Sequence, residues 1–385
     1  MAGGLGFEPR QAESESAVLP LDDPPTEAEG LDQPSRPFNP QSATCLVPSS
    51  PCCYPWRIVG ENVDAAIQQT SEARVPLAVL DLGTNNCRLL IAILHGQGGF
   101  RVIDSFSRIV RLGEGVEASG ELSEVAMTRT IAALKICADR IARARAVHVR
   151  CIATQAARLA RNAGELVARV KAETGLVLEV ISAEQEADLV ALGCAPLIGR
   201  RHTGALVFDI GGGSTEIIRL GKDRHGTTTH FAASLPLGVV TLSEREALAG
   251  KDDYLRLRAR LAAQFATLAA QMPGFDPQAE HLLGTSGTVT TLAAIALDLP
   301  RYIRSRVDAS WHQTGTLVAV ADRLAGMDQA GLTAIGSIGA DRADLMLPGC
   351  ALFSAICDVW PSVQLRVADR GLREGMLRQF SQGTP

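Results

Sequence analysis

The stretch LVFDIGGGSTEII, residues 206–218, decides how the rest of the chain is read. An apolar strand carries Asp209, gives up its side chains at Gly211, Gly212 and Gly213, and then resumes as a second strand. Three glycines at a turn fit an ordinary hairpin, because glycine takes the positive φ that tight turns need. They also fit a loop that receives phosphate, since missing Cβ atoms let backbone N–H groups approach anionic oxygens. Alone, the motif leaves both readings open.

An internal echo shifts the balance. VLDLGTNNCRLLI, residues 79–91, repeats the order apolar, Asp, apolar, Gly, small or polar turn, apolar strand. Asp81 is therefore expected to do on a facing element what Asp209 does on its own. Two such hairpins across a cleft aim N–H and hydroxyl groups at phosphoryl oxygens, and their two carboxylates can hold a divalent cation. Burying those carboxylates without a cation or donors would be costly.

Working outward, VPLAVLDLG and RLLIAIL read as a strand pair, and FRVIDSFSRIVRL as further strand. Residues 122–145 have helical spacing with Ser123 as N-cap. AVHVRCIAT is a strand, AARLARNAGELVARVKAETG a helix closed by Gly175, LVLEVIS a strand, and residues 183–192 a helix. The second unit repeats strand, glycine turn and strand, followed by FAASLPLGVV, a helix near residues 254–271, and the strand HLLGTSGTV. Strands alternating with helices predict an α/β protein of two units, residues 74–200 and 201–385. Residues 1–73 are crowded with proline, lack apolar periodicity and are expected to be a disordered extension.

The chain has 385 residues, 46% hydrophobic and 21% charged, with a formal net charge of -5. That balance argues against a general nucleic-acid or membrane-surface binder and leaves room for a local basic cleft. No apolar run approaches the roughly 18 residues of a membrane span. The N-terminus has neither the basic nor the apolar segment of a secretory signal, so a cytoplasmic protein is expected. None of the nine cysteines has C-x-x-C spacing, and Cys87, Cys137, Cys151 and Cys194, in apolar surroundings, read as reduced core thiols. No G-x-x-x-x-G-K-[ST] loop occurs, and a strand rather than a helix follows Gly213, which disfavours a dinucleotide fold.

The two aspartate hairpins resemble the phosphate-1 and phosphate-2 motifs of the actin-like ATPase superfamily, and LGTSGTVTTLAAI stands where its adenosine-side glycine motif falls. Within that superfamily the chain most resembles the exopolyphosphatase and guanosine-pentaphosphate phosphohydrolase family. CIATQAARLARNAGEL, VISAEQEADLV and VADRGLREGML match further segments of that family in order. The resemblance spans about residues 76–378. It implies two actin-like (ribonuclease H-like) domains with a ligand cleft between them.

The resemblance also implies roles. Glu186 corresponds to the catalytic glutamate, a general base on the attacking water. Glu216 is to orient water or coordinate metal. Asp81 and Asp209 are to hold Mg²⁺, directly or through water. Gly83, Thr84, Asn85, Gly211, Gly212, Gly213 and Ser214 are to wrap phosphate oxygens. Arg158 matches an arginine suited to phosphate, and Arg111 a basic position after the second hairpin strand. Arg306 and Arg370 lie in family-like segments, where a surface salt bridge explains either equally well.

Leu159 stands where the family often has glutamate, Gln185 replaces a glutamate, and Asn86 a serine. Larger members add C-terminal helical domains, so a two-domain short form is expected, with a homodimer allowed. The leading expectation is Mg²⁺-dependent release of terminal phosphate from inorganic polyphosphate. Its alternatives are conversion of guanosine pentaphosphate to the tetraphosphate, an actin-like ATPase or kinase, and a catalytically weak alarmone-binding regulator.

Overall fold

The strand PLAVLDL (β2, Pro76–Leu82) is apolar on both faces because both faces are covered. It pairs antiparallel with β3 (Asn86–His95), which pairs antiparallel with β4 (Gly99–Ile109). On its other side β2 runs parallel to β5 (His148–Ala153), and β5 to β6 (Leu178–Val180), giving the order β4-β3-β2-β5-β6. The computed structural model describes residues 45–46, 75–95, 99–246, 248, 250–272 and 274–382. The expected disordered extension lies outside the described residues, apart from the short strand β1 (Cys45–Leu46).

The second unit repeats this plan. Strands β7 (Gly204–Ile210), β8 (Thr215–Asp223) and β9 (Gly226–Leu235) form an antiparallel run, and β7 continues parallel to β10 (Glu280–Thr285). Two further strands, β11 (Trp311–Gln313) and β12 (Gln364–Ala368), complete the order β1-β9-β8-β7-β10-β12-β11. Apart from the added edges, both sheets follow one duplicated order, as expected of two actin-like domains.

Helix α1 (Glu124–Ala144) begins at Ser123, whose hydroxyl accepts from Ala126 N–H, as the sequence predicts. The expected single helix after β5 is two, α2 (Gln155–Leu159) and α3 (Ala163–Thr174), separated by residues 160–162. There Asn162 leaves the chain to exchange two hydrogen bonds with the backbone of Leu122. Helix α4 (Ala183–Cys194) opens with a reciprocal cap between Ser182 and Gln185. Val239–Arg245 (α5), Lys251–Gln271 (α6), Gly287–Ala296 (α7), Ala343–Val359 (α8) and Leu372–Ser381 (α9) are the remaining helices used below. HLLGTSGTV is thus strand only to Thr285, and Ser286 caps α7.

Three cores result. One lies between the first sheet and α1, and another between the second sheet and α6 and α8. The third joins the units, with apolar side chains of both sheets closing around α4 and α9. The C-terminal helix therefore returns to the first unit, packing on β2 and β3. Each leucine or isoleucine buried there contributes about 1.5–3 kcal/mol. The two helices meet at glycines: a Cβ on Gly193 would stand 2.0 Å from Gly371 O, and one on Gly375 2.0 Å from Leu189 O.

Candidate active site

The β2–β3 and β7–β8 turns face each other across a cavity of about 120 Å³ between the units. A Cβ on Gly212 would lie 3.1 Å from Asn85 N, and one on Gly213 2.7 Å from Thr84 Oγ1. Side chains at these positions would close the gap.

The glycine turn is oriented by α5. Val239 N–H donates to Gly211 O (3.0 Å) and Val240 N–H to Gly212 O (2.8 Å). In a trans peptide the next N–H points opposite to the carbonyl, so the Gly212 and Gly213 N–H groups are turned away from α5. Those two N–H groups, and those of Thr84 and Asn85, have no protein acceptor among the described residues. Thr84 Oγ1, Asn85 Oδ1 and Asn86 Oδ1 are buried without a hydrogen-bond partner as well. A satisfied hairpin does not leave this many polar groups unpaired, so the turns are built for a ligand.

Four carboxylates line the same cavity: Asp81, Glu186, Asp209 and Glu216. Asp81 sits directly across the strand pair from Arg88, whereas Asp209 sits across from Glu216. Burial raises the Asp81 pKa, with Arg88 opposing. Asp209 is pushed up to about 6 by burial, again opposed by Arg88 and reinforced by Asp81. Glu216 is raised well above the usual carboxylate range by burial and then by Glu186 and Asp209; its Oε1 accepts from Ser234 Oγ at 2.7 Å.

Glu186 projects from the first turn of α4 and is pushed up to about 7, mainly by burial. Arg158 Nη1 lies 2.7 Å from Glu186 Oε2 without hydrogen-bond geometry, and that charge holds the pKa below where burial would take it. Arg158 also donates to Gln155 Oε1 (2.8 Å) and Ile181 O (3.1 Å). Its guanidinium is thus turned to Glu186 and its surroundings, and Arg158 is not among the residues that line the cavity. Removing that charge in Arg158→Met is expected to move the acid limb of kcat/KM to higher pH, and Arg158→Lys to move it less. A pH–rate profile with an unmoved limb and only a lower plateau would mean that Arg158 merely supports the fold.

The structure brings together Asp81, Gly83, Thr84, Asn85, Gly211, Gly212, Gly213, Ser214, Asp209, Glu186 and Glu216. Arg111 stands apart. Its side chain pairs with Asp344 at 2.9 Å, while its N–H holds the first turn by donating to Asn85 O at 3.0 Å. Arg370 makes a two-pronged pair with Asp308, and Arg306 is exposed outside the cavity. Arg88, Arg342, Thr154, Gln155 and Ser286 line the cavity without having been singled out from the sequence. For Arg88 a signal existed: Asn86 and Arg88 alternate with fully buried Cys87 and Leu89, which puts both on one face of β3. Ser286 holds a left-handed φ of 115° at the start of α7, whose N-terminus borders the cavity.

A model of the Ppx/GppA phosphatase family matches residues 91–382. The chain belongs to that family. It is 33% identical over 285 residues to exopolyphosphatase 2 of Mycobacterium tuberculosis, covering 70% of this chain and 86% of that protein. The crystal structure of the Aquifex aeolicus Ppx/GppA family member superposes with a TM-score of 0.68 at 30% identity, over 80% of this chain and 98% of that one. An exopolyphosphatase structure from Cytophaga hutchinsonii, at 23% identity and a TM-score of 0.71, covers 80% of this chain and 99% of that one and shares the fold. As a Ppx/GppA protein the chain is a phosphatase, hence a hydrolase. No helix among the described residues is long and apolar enough to cross a membrane.

Proposed function

We propose that the protein is an exopolyphosphatase, releasing the terminal phosphate of inorganic polyphosphate to water. The observation that carries this reading is the placement of Glu186, a buried carboxylate charge-paired with Arg158, in one cavity with two turns rich in unpaired donors. Glu186 takes a proton from water, the water oxygen bonds to the terminal phosphorus, and the bridging P–O bond breaks with its electrons leaving on the shortened chain. Donors at Thr84, Asn85, Gly212 and Gly213 offset charge on the transferred phosphoryl group. Because Glu186 works deprotonated, kcat/KM rises with pH through about 7.

Mg²⁺ fits the donor set. Among the described residues no three acidic, histidine or cysteine side chains form a metal cage. Magnesium does not require one: it takes one or two carboxylates and completes its shell with water and substrate phosphates. Asp81, Asp209 and Glu216 are the carboxylates that would hold the ion, which would supply charge neutralisation for the polyanion. Mg²⁺ is expected to raise the melting temperature of the wild type at pH 8 by stabilising the folded state, and Asp209→Asn to remove most of that rise. Equal shifts in both proteins would place the ion elsewhere.

The functional reading is tested by phosphate release from polyphosphate, guanosine pentaphosphate and ATP measured side by side. Polyphosphate is expected to give the highest kcat/KM. Release from guanosine pentaphosphate alone would overturn the substrate, and nucleotide-dependent phosphotransfer would overturn the reaction.

A further inference from the structure

Gln155 opens the short helix α2 just after β5, and its side chain lines the cavity. What it can do there is set by Arg158, one turn further on. Arg158 Nε and Nη2 both donate to Gln155 Oε1, at 3.2 and 2.8 Å, while Nη1 donates to Ile181 O at 3.1 Å and lies 2.7 Å from Glu186 Oε2. One guanidinium therefore spans Gln155 and Glu186, and a guanidinium has donors only. An amide that meets such a fork turns its oxygen to it, because its NH2 group would set donor against donor. The carbonyl end of Gln155 is fixed on Arg158, and the nitrogen end is fixed away from it.

That nitrogen has no acceptor among the described residues, although its partner oxygen is held twice. The side chain lies against the glycine turn. A Cβ on Gly213 would stand 2.9 Å from Gln155 Cγ and 2.7 Å from Thr84 Oγ1, so Gln155 runs past the point where the two hairpin turns meet. The Gly213 N–H and the Thr84 hydroxyl are themselves without a protein partner. A charged donor on the carbonyl oxygen also polarises the amide, which strengthens its N–H groups as donors. The same cation thus aims a neutral donor and holds the carboxylate of Glu186 at a set spacing from it.

We propose that Gln155 is a catalytic donor, its amide NH2 group donating to an oxygen of the phosphoryl group under attack while Arg158 holds its carbonyl end. The proposal rests on the hydrolase reading for the identity of that acceptor, and its test separates the two. Gln155→Met keeps the length of the side chain and removes both polar ends. Gln155→Glu keeps an acceptor for Arg158, now a charged one, and removes the donor. Both variants are expected to lower kcat on polyphosphate about 10²-fold or more, as loss of one preorganised donor does. A residue that served only to seat Arg158 would be replaced well by glutamate, so wild-type kcat in Gln155→Glu overturns the proposal. Wild-type kcat in Gln155→Met overturns it too, since a fall in the glutamate variant alone is repulsion of the polyanion. Calorimetric titration of tripolyphosphate into Glu186→Gln protein, with and without Gln155→Met, reads the contact without turnover and is expected to show about three- to tenfold weaker binding in the double variant. That weakening, with no phosphate release by the wild type, would sink the hydrolase reading alone. Phosphate release by the wild type, with equal binding and equal kcat in the Gln155→Met proteins, would sink the donor alone.

Discussion

Glu186→Gln is expected to lower kcat on polyphosphate by about 10²–10⁴-fold while changing KM little. Glutamine keeps the shape and the capped first turn of α4 but accepts no proton from water at working pH. The phosphate-facing donors belong to other elements, the two hairpin turns, so binding should survive. The variant also loses the acid limb near pH 7, since the titrating group is gone. Steady-state kinetics across pH measures both effects. Full activity in the variant would transfer the base role to another cavity carboxylate, with Glu216 the first to replace.

Gly375→Val is expected to be the most damaging substitution outside the cavity. The added Cβ would lie 2.0 Å from Leu189 O and 2.7 Å from Leu189 C, so backbone rather than a flexible side chain must move. Overpacking of this kind costs about 1–3 kcal/mol, which lowers the melting temperature by something on the order of 5 °C. Because Leu189 and Glu186 share α4, relieving the clash displaces the base as well, and kcat should fall together with stability. Thermal unfolding and phosphate release on one preparation decide the matter. A loss of stability with full kcat would show that α9 gives way and α4 does not.

Much of this was legible in the sequence, for a physical reason. The aspartate hairpins, the Ser123 cap of α1 and the Gly175 stop are local devices, and spacing alone reveals them. The break at residues 160–162 was not legible, because Asn162 leaves helical pairing to bond Leu122, forty residues earlier in the chain. Arg158 carried the right chemistry for phosphate, yet its orientation depends on Ile181 and Glu186, which only the folded chain brings to it. Arg342 enters the cavity from a segment without any motif, through the packing of the two units. Local patterns thus gave the loops and the family resemblance pointed to Glu186, while the partners that surround them came from tertiary contact.

The duplicated frame is not used twice in the same way. At matching positions of the two hairpins, aspartate faces arginine in the first unit and glutamate in the second. One jaw therefore offers a cation beside its carboxylate, and the other a pair of anions. A phosphoryl group held between them would meet unlike charge on its two sides. The repeat supplies the geometry of a clamp, and the exchange of Arg88 for Glu216 makes its two sides electrostatically unlike.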